Sequence, residues 1–149
     1  MTTTQTQAQV FTSPKQIRFQ HCDPAGIVFY PQFFILLHEA QEDFFAHIGF
    51  PEDAMIRSGF GVPMVKMNTD FLIPSRNGDR VVIEMRLNKL GNSSIGVDYT
   101  LLGVNVDDSL GAPRLKASSV NAYMNLNTGR AVPIPDNLKA AMGLYLHVL

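Results

Sequence analysis

The chain has 149 residues, a formal net charge of −1 and one cysteine, Cys22. The length fits one compact domain, and a single cysteine excludes an internal disulfide framework and a CxxC metal site. No run of Lys or Arg is present, and nucleic-acid binding needs clustered positive charge. Apolar residues are dispersed, so no stretch approaches the ~20 residues of a membrane span. We therefore expect a cytoplasmic protein with neither a nucleic-acid nor a membrane partner.

The N-terminal segment is polar and has no basic and apolar stretches typical of a secretory signal. Residues 1–13 are predicted to form a disordered tail, which leaves residues 14–149 as a single domain. The stretch Gln16–Cys22 predicts the first strand. Alternate residues of that strand share one face: Ile17, Phe19 and His21. The sequence Asp-Pro-Ala-Gly at 23–26 ends it, because Pro cannot donate to a strand ladder and Gly permits unusual dihedral angles.

One long helix is predicted from Pro31 to about Ile48. Apolar residues recur on one stripe at helical spacing: Phe33, Leu36, Leu37, Ala40, Phe44 and Ile48. Pro31 suits a first helical turn, and Gly49 and Pro51 supply a stop signal. The helix is apolar beyond this stripe as well, so we expect a sheet to wrap it or a second subunit to contact it.

Strand patterns follow the helix, separated by turn residues. The predicted strands are Gly61–Leu72, 80–88, 95–101 and Leu115–Leu126. A final helix is predicted over Asp136–His147, with Asp136 as its N-cap. One helix followed by successive strands indicates an α+β fold, in which one antiparallel sheet curls around the long helix. Such a sheet has open edges, which favours pairing with a second copy.

The segment His21–Pro31, HCDPAGIVFYP, resembles the signature of the 4-hydroxybenzoyl-CoA thioesterase family. Weaker similarities follow at Phe33, at the Glu39-Ala40 pair and at Asp70-Phe71. The resemblance implies the hotdog fold, an acyl-CoA substrate, and a homodimer or a tetramer of dimers. It also implies hydrolysis of the thioester, preferentially of an aryl-CoA such as a hydroxybenzoyl-CoA. A related acyl-CoA branch carries a histidine where this chain has Pro31, which argues against a histidine-assisted mechanism at that position.

Thioester hydrolysis needs an attacking group, a donor for the oxyanion and a departing thiolate. The CoA thiol has an ordinary pKa of roughly 8–9, so one carboxylate suffices and no cofactor is expected. By resemblance, Asp23 is the catalytic carboxylate, as nucleophile or as general base on water. The backbone N–H of Tyr30, at a helix N-terminus, is the candidate oxyanion donor. Some hotdog thioesterases use a carboxylate on the helix instead, which makes Glu39 the rival to Asp23; we assign Glu39 a supporting role, as a polar contact near the active site or the dimer interface.

Recognition of CoA is predicted to involve basic and hydroxyl side chains near the surface. The candidates are Lys66, Lys89, Ser93, Ser94 and Arg130, with Arg114 and Lys116 as further basic residues. For each of the basic residues, ordinary surface charge is the alternative interpretation. For the two serines, the alternative is a simple hairpin turn.

Other interpretations remain open at this point. Cys22 beside His21 could be a nucleophile, although neighbours on a strand face opposite ways and a buried, inert thiol is favoured. His38 and Glu42 have a spacing that can hold a metal, but no third ligand is evident, so no metal site is predicted. The alternative functions are a hotdog enzyme acting on acyl-carrier-protein thioesters and a non-catalytic acyl-CoA-binding module.

Overall fold

The computed structural model describes residues 7–147. Within that range the chain forms eight strands, three α-helices and one short 3₁₀ helix. In chain order they are β1 (Phe11–Gln16), the 3₁₀ helix (Phe19–His21), α1 (Tyr30–His47), α2 (Glu52–Arg57), β2 (Phe60–Gly61), β3 (Met64–Phe71), β4 (Arg80–Leu90), β5 (Ser94–Val104), β6 (Leu110–Ala122), β7 (Met124–Asn125), β8 (Arg130–Ala131) and α3 (Asp136–Gly143).

The main sheet has five antiparallel strands in the order β1-β4-β5-β6-β3. A small second sheet has the order β2-β7-β8. The side chains of β4 and β5 that alternate onto one face form a common core with α1. This arrangement of an antiparallel sheet packed on one long helix confirms the predicted α+β hotdog fold.

The predicted stripe of α1 is the part of the helix that the sheet covers. Its side chains Phe33, Leu36, Leu37, Ala40 and Phe44 are all buried. Burial of one Leu or Phe side chain contributes about 1.5–3 kcal/mol relative to exposure, so packing stabilises α1 more than helix propensity does. Despite the apolar character of α1, none of the described helices is long and apolar enough to cross a bilayer.

The first strand is β1, Phe11–Gln16, and the prediction of a strand at Gln16–Cys22 was wrong. Residues 11–13, which were assigned to a disordered tail, pair with β4. The tail's residues 1–6 lie outside the described residues. The strand ends at Gln16. The N–H of the next residue, Ile17, donates to Asp79 O and its carbonyl accepts from Gly78 N–H, both at 2.8 Å. These partners lie about sixty residues away in sequence, so local alternation could not reveal them.

The 3₁₀ helix replaces the expected strand because a local hydrogen bond competes with the ladder. His21 Nδ1 accepts the N–H of Arg18 at 2.9 Å. The turn places Phe19 in solvent, 83% exposed, while His21 is buried. The prediction that Phe19 and His21 share one face was therefore also wrong.

Smaller differences concern element boundaries. The predicted strand Gly61–Leu72 is divided into β2 and β3 around Pro63, which has no N–H to donate. The strand predicted at Leu115–Leu126 begins earlier, at Leu110, and continues as β7. The helix α2 was not predicted, because six residues are too few to show a helical period.

The last helix, α3, ends at Gly143, and the prediction that it continues to His147 was wrong. Leu146 instead forms a parallel bridge with Leu87, and the N–H of His147 donates to Leu87 O at 2.8 Å. The N-cap position is occupied by Pro135, so Asp136 is the first residue of the helix and not its cap.

Candidate active site

Asp23 lies in a tight turn between the 3₁₀ helix and α1. The N–H of Gly26 donates to Asp23 O at 2.9 Å, and the N–H of Ala25 donates to Asp23 Oδ1 at 2.8 Å. Gly26 has a φ of +82°, a left-handed conformation that glycine adopts without strain. Among residues 7–147, Asp23 Oδ2 has no hydrogen-bond partner. The turn thus orients the carboxylate through one oxygen and leaves the other available.

The turn is fixed at both of its ends. Cys22 and Val28 form an antiparallel bridge, and the N–H of Asp23 donates to Ile27 O at 3.1 Å. Further along the chain, the N–H of Val28 donates to Ser75 O at 2.9 Å. The loop that carries Asp23 is therefore anchored to the segment that follows β3.

The N-terminus of α1 presents one unpaired backbone donor. Phe29 is the N-cap and offers no side-chain hydrogen bond, Pro31 has no N–H, and Gln32 N–H already donates to Phe29 O at 2.9 Å. The N–H of Tyr30 has no partner among the described residues. A free N–H at a helix N-terminus carries partial positive charge and suits a developing oxyanion.

A cavity of about 310 Å³ opens beside this helix terminus. Its lining is mostly apolar and consists of Ile27, Val28, Tyr30, Phe33, Phe71, Leu72, Ile73, Pro74 and Arg114. The ring of Phe71 contacts those of Tyr30 and Phe33, with centroid distances of 6.3 and 5.9 Å. The Tyr30 side chain is 59% exposed although it is aromatic. The cavity therefore offers aromatic surface next to Tyr30, whose N–H has no partner among the described residues.

One cation lines this cavity, and it is already paired. Arg114 Nη1 donates to Asp79 Oδ2 at 2.7 Å and to Ser75 Oγ at 3.2 Å. Burial raises the pKa of the Asp79 carboxyl, but hydrogen bonds from the Arg76 N–H and from Arg114 outweigh it, so the pKa lies below its usual value. Asp79 is therefore held as an anion next to Arg114.

Glu39 lies farther along α1 than the other predicted catalytic groups. It comes nine residues after Tyr30, which corresponds to roughly 13–14 Å along a helix axis. Its carboxylate is 3.5 Å from Lys15 Nζ, and the same ammonium group lies 3.0 Å from Asp43 Oδ2. Within one chain, the structure does not bring Glu39 to the Asp23 turn.

The residues predicted to contact CoA are spread over the sheet. Lys66 is exposed on β3, Lys89 is exposed near the end of β4, and Arg130 is exposed in β8. Ser93 and Ser94 lie at the turn between β4 and β5, where Ser94 O accepts the N–H of Gly91 at 2.9 Å. The pairing register aligns Lys89 with Gly96, Gly96 with Val120 and Val120 with Lys66. The two lysines therefore share a row of the sheet, three strand spacings or about 14 Å apart.

Cys22 and His21 do not lie on a strand, so the expected opposite orientation does not apply to them. Each contacts the backbone of Arg18 instead. His21 Nδ1 accepts its N–H, and Cys22 Sγ lies 3.6 Å from its carbonyl oxygen. Neither residue is hydrogen-bonded to the other, so this pair does not form a nucleophile–base arrangement.

A second cavity, of about 230 Å³, lies between α1 and α2. Its lining consists of His38, Gln41, Glu52, Met55, Ile56, Gly61, Val62, Pro63 and Leu126. Glu52 supplies the third ligand-type side chain that the sequence did not reveal, and it lies near His38 and Glu42. However, His38 and Glu42 pair with each other at 3.2 Å and are both exposed. Exposed carboxylates are common without a metal, and we assign none here.

The sequence predicted roles for Asp23 and Tyr30 but did not predict which residues surround them. Ser75 is fully buried and holds Val28, and Arg114 holds Ser75. Arg114 was considered only as a CoA contact. A possible signal was the Pro74-Ser75 step after a strand, but its partners are 39 and 47 residues away.

The sequence of this chain is similar to those of known thioesterases. A sequence model of the thioesterase-like superfamily matches residues 17–142. The 1,4-dihydroxy-2-naphthoyl-CoA hydrolase of Synechococcus elongatus is 29% identical over 125 residues, covering 83% of this chain and 88% of that protein. The 4-hydroxybenzoyl-CoA thioesterase of Pseudomonas sp. strain CBS-3 is 27% identical over 135 residues, covering 86% of this chain and 94% of that protein.

A solved structure has the same fold. The 1,4-dihydroxy-2-naphthoyl-CoA thioesterase of Synechocystis superposes with a TM-score of 0.80 at 24% sequence identity, covering 91% of this chain and 96% of that one. At that identity the likeness establishes the fold, while the family follows from the match over residues 17–142. The chain therefore belongs to the thioesterase-like superfamily.

Proposed function

We propose that this protein is an acyl-CoA thioesterase that hydrolyses aryl-CoA esters to an aromatic acid and free CoA. Asp23 is the catalytic carboxylate, and the backbone N–H of Tyr30 binds the oxyanion. The observation that carries this proposal is the junction at the start of α1. There a carboxylate oxygen of Asp23 and the backbone N–H of Tyr30, neither with a partner among residues 7–147, lie on either side of one fixed turn.

The chemistry needs no further catalytic group. In the general-base route, water attacks the thioester carbonyl carbon while Asp23 accepts a proton from that water. The Tyr30 N–H donates to the oxyanion, and a well-placed donor of this kind contributes about 3–4 kcal/mol. The carbon–sulfur bond then breaks, and the thiolate leaves and takes up a proton, since its pKa is that of an ordinary thiol.

In the nucleophilic route, an oxygen of Asp23 attacks the carbonyl carbon itself. The CoA thiolate leaves, and a mixed anhydride joins Asp23 to the acyl group. Water then hydrolyses the anhydride and regenerates the carboxylate. A rapid-quench search for protein-bound acyl groups separates this route from the general-base route.

The preference for an aryl group rests on the cavity beside Tyr30. Its lining includes three aromatic rings, and its volume of about 310 Å³ suits a compact ring system better than a long alkyl chain. The relatives named after dihydroxynaphthoyl-CoA and hydroxybenzoyl-CoA support the same substrate class. Lys66, Lys89, Ser93, Ser94 and Arg130 remain predictions for CoA contacts, and Glu39 remains one for a supporting role.

We further propose that the protein is a cytoplasmic homodimer that pairs through β3. This strand is one edge of the main sheet, and Met64, Val65 and Phe71 on it are exposed. An open edge of eight residues with apolar side chains is a liability unless a second chain covers it. Exposed apolar side chains of α1, Phe34 and Ile35, extend the same type of surface. Val65→Lys should shift the dimer to monomer in sedimentation, whereas an unchanged dimer would place the interface elsewhere.

The test of the activity is thiol release from a panel of aryl- and alkyl-CoA esters. Asp23→Asn keeps the size of the side chain but removes its charge and basicity. We expect it to lower kcat at least about a hundredfold, the usual scale for a positioned acid–base group. Asp136→Asn, at the exposed start of α3, is the matched control and should retain full activity.

The other outcomes of this assay have definite meanings. A wild-type protein inactive on the whole panel would favour a carrier-protein substrate or a binding module. A fully active Asp23→Asn variant would move the chemistry to another group. Cys22→Ser should stay within about twofold of wild type, because the hydrogen bond of Cys22 Sγ within residues 7–147 goes to a backbone carbonyl and not to a catalytic group.

A further inference from the structure

We propose that Arg114 is a positioning residue for the reaction. Its guanidinium holds residues 75–79 against the start of α1 and thereby fixes the Asp23 turn and the Tyr30 N–H. The inference rests on the proposed function, since it concerns the geometry of that same site. It assigns to Arg114 a role other than binding a CoA phosphate.

The side-chain hydrogen bonds of Arg114 among the described residues all go to one short segment, residues 75–79. Its Nη1 donates to Asp79 Oδ2 at 2.7 Å and to Ser75 Oγ at 3.2 Å. Asp79 Oδ2 also accepts the N–H of Arg76 at 2.9 Å, so the carboxylate joins the two ends of a turn at residues 76–79. The side chain of Arg114 is 23% exposed and that of Asp79 is 33% exposed. A pair that is this strongly shielded from water orders its surroundings more than a fully exposed pair does.

The segment transmits this order to the catalytic turn through the backbone. Ser75 is fully buried, and its carbonyl oxygen accepts the N–H of Val28 at 2.9 Å. Val28 forms the bridge with Cys22 that closes the Asp23 turn, and it precedes Tyr30 by two residues. A displacement of Ser75 therefore moves Val28, and with it both ends of the proposed catalytic pair.

The sheet is shaped to let the guanidinium reach this segment. Gly103 on β5 is buried, and a Cβ added there would lie 2.6 Å from Arg114 Nε and Nη2. A side chain at position 103 would thus displace the guanidinium from its present path. Substitution of Gly103 by Ala therefore gives a second, independent way to displace the Arg114 guanidinium without removing its charge.

The backbone of Arg114 strengthens the same link. Its carbonyl oxygen accepts the N–H groups of Leu72 and Ile73 at 2.9 and 3.1 Å. These two residues line the cavity beside Tyr30. One residue of β6 therefore ties both the cavity wall and the Ser75 segment to the sheet.

The experiment compares Arg114→Met with the control Arg80→Met. Arg80 pairs with Asp108 at 2.8 Å and donates to Asn105 O, so its side-chain hydrogen bonds lie on the loop between β5 and β6 and not on residues 75–79. kcat and KM are measured with an aryl-CoA ester and with the pantetheine thioester of the same acid, which lacks the nucleotide. We expect Arg114→Met to lower kcat about 10- to 100-fold on both esters with KM within about threefold, because small misplacements of reacting groups are costly. Arg80→Met should behave as wild type.

Further variants separate positioning from a general structural role. Arg114→Lys should recover part of kcat, and Gly103→Ala should lower kcat in the same direction by a smaller factor. Asp79→Asn should lower kcat about as much as Arg114→Met does. The double variant should have a kcat no lower than that of the less active single variant, because both substitutions remove the same ion pair. Amide exchange at Val28 should be faster in Arg114→Met than in Arg80→Met.

Contrary results are equally specific. A rise in KM confined to the CoA ester, with kcat unchanged, would make Arg114 a phosphate contact and overturn the inference. A fall in kcat with unchanged exchange at Val28 would also overturn it. If Arg114→Met does not fold, the Lys and Gly103→Ala variants carry the test, and wild-type kcat in both would overturn the inference. Failure of the proposed function would appear differently, as an inactive wild type or a fully active Asp23→Asn variant.

Discussion

Polar groups near the N-terminus of α1 lack hydrogen-bond partners among the described residues, whereas a polar side chain in the middle of the same helix is hydrogen-bonded through both its nitrogen and its oxygen. At the N-terminus, Asp23 Oδ2 and the Tyr30 N–H have no partner within residues 7–147. In the middle, Gln41 is buried and uses both ends of its amide: Nε2 donates to Glu52 at 2.7 Å, while Oε1 accepts from Asn121 at 3.3 Å and from Tyr99 at 3.4 Å. The difference supports the proposal that the first region binds a ligand, whereas the hydrogen bonds of Gln41 tie the second region to the rest of the fold.

The buried network explains how a helix can carry a polar residue into the core. Asn121 Nδ2 also donates to Val62 O at 2.9 Å, and Asn121 Oδ1 accepts from Ser119 Oγ at 3.0 Å. A satisfied network of this kind costs little, whereas a partly satisfied one is expensive. Substitutions in the two regions should therefore separate activity from stability.

The largest effect is expected for Tyr30→Pro. Pro is tolerated at the first position of a helix, and Phe29 already has the extended conformation that precedes proline. The substitution therefore removes the N–H with little change in the helix. We expect kcat to fall about 10²- to 10³-fold, the cost of losing one oxyanion donor.

Tyr30→Ala is the matched control for that prediction, because it removes the side chain but keeps the N–H. Thiol-release kinetics on both variants decide the question. Equal losses in the two would assign the effect to the aromatic ring and not to the backbone donor.

Gln41→Leu should lower the stability of the fold and leave activity unchanged, the reverse of the effect of Tyr30→Pro. It removes one partner each from the buried Tyr99 and Asn121 and from the half-buried Glu52, so we expect the free energy of unfolding to fall by about 3 kcal/mol. Activity per folded molecule should be unchanged. Urea unfolding together with thiol release measures both quantities, and a stable Gln41→Leu variant with low kcat would contradict the division between the two regions.

Tyr99 makes the network sensitive to alkaline pH. Burial raises the pKa of Tyr99 to about 12, above its usual value near 10. The folded protein keeps the phenol proton where the unfolded chain loses it. This contribution to the free energy of unfolding is complete below about pH 10 and is lost as pH rises towards 12, by up to about 3 kcal/mol.

The check is the free energy of unfolding between pH 9 and pH 12. Tyr99→Phe should flatten this dependence, while Tyr30→Phe, which changes an exposed ring, should leave it unaltered. A dependence that persists in Tyr99→Phe would assign the alkaline sensitivity to another group.

Lys15→Met should have the smallest effect of the series. Lys15 pairs with two half-exposed carboxylates, Glu39 and Asp43, and such pairs contribute under about 1 kcal/mol. Burial raises the pKa of Asp43, but hydrogen bonds from Ser13 and Lys15 lower it by more, so the pKa lies below its usual value. The pair therefore stabilises the fold above the ordinary pKa of about 4 and loses this contribution as pH falls through the folded pKa.

Comparison of Lys15→Met and wild type at pH 7 and pH 2 tests this sign. A small difference in unfolding free energy is expected at pH 7, and none at pH 2. A reduced kcat in this variant, with stability unchanged, would instead support the supporting role predicted for Glu39.

The sequence predicted α1 well because the information is local. Phe33, Leu36 and Phe44 recur at helical spacing, and all three are buried against the sheet. The Asp23 turn was also readable, since Pro24 and Gly26 mark a turn by their own backbone preferences. The catalytic assignment of Asp23 came from the family resemblance and not from these preferences.

Features fixed by distant partners were not readable. The end of β1 depends on contacts between Ile17 and residues 78–79, so alternation extended the predicted strand too far. The role of Arg114 depends on Ser75 and Asp79, which are 39 and 35 residues away. The satisfied state of Gln41 likewise depends on Asn121, eighty residues away. In each case a contact between segments far apart in the sequence decides the outcome, and a local pattern cannot predict such a contact.

The most direct test of the central claim is a crystal structure of the Asp23→Asn variant with an intact aryl-CoA ester. The account predicts that the thioester carbonyl oxygen lies within about 3 Å of the Tyr30 backbone nitrogen, the distance of an oxyanion donor. It also predicts that the side chain at position 23 faces the carbonyl carbon and that the aryl ring contacts Phe71. A thioester bound instead in the cavity between α1 and α2, beside Gln41 and Glu52, would contradict it.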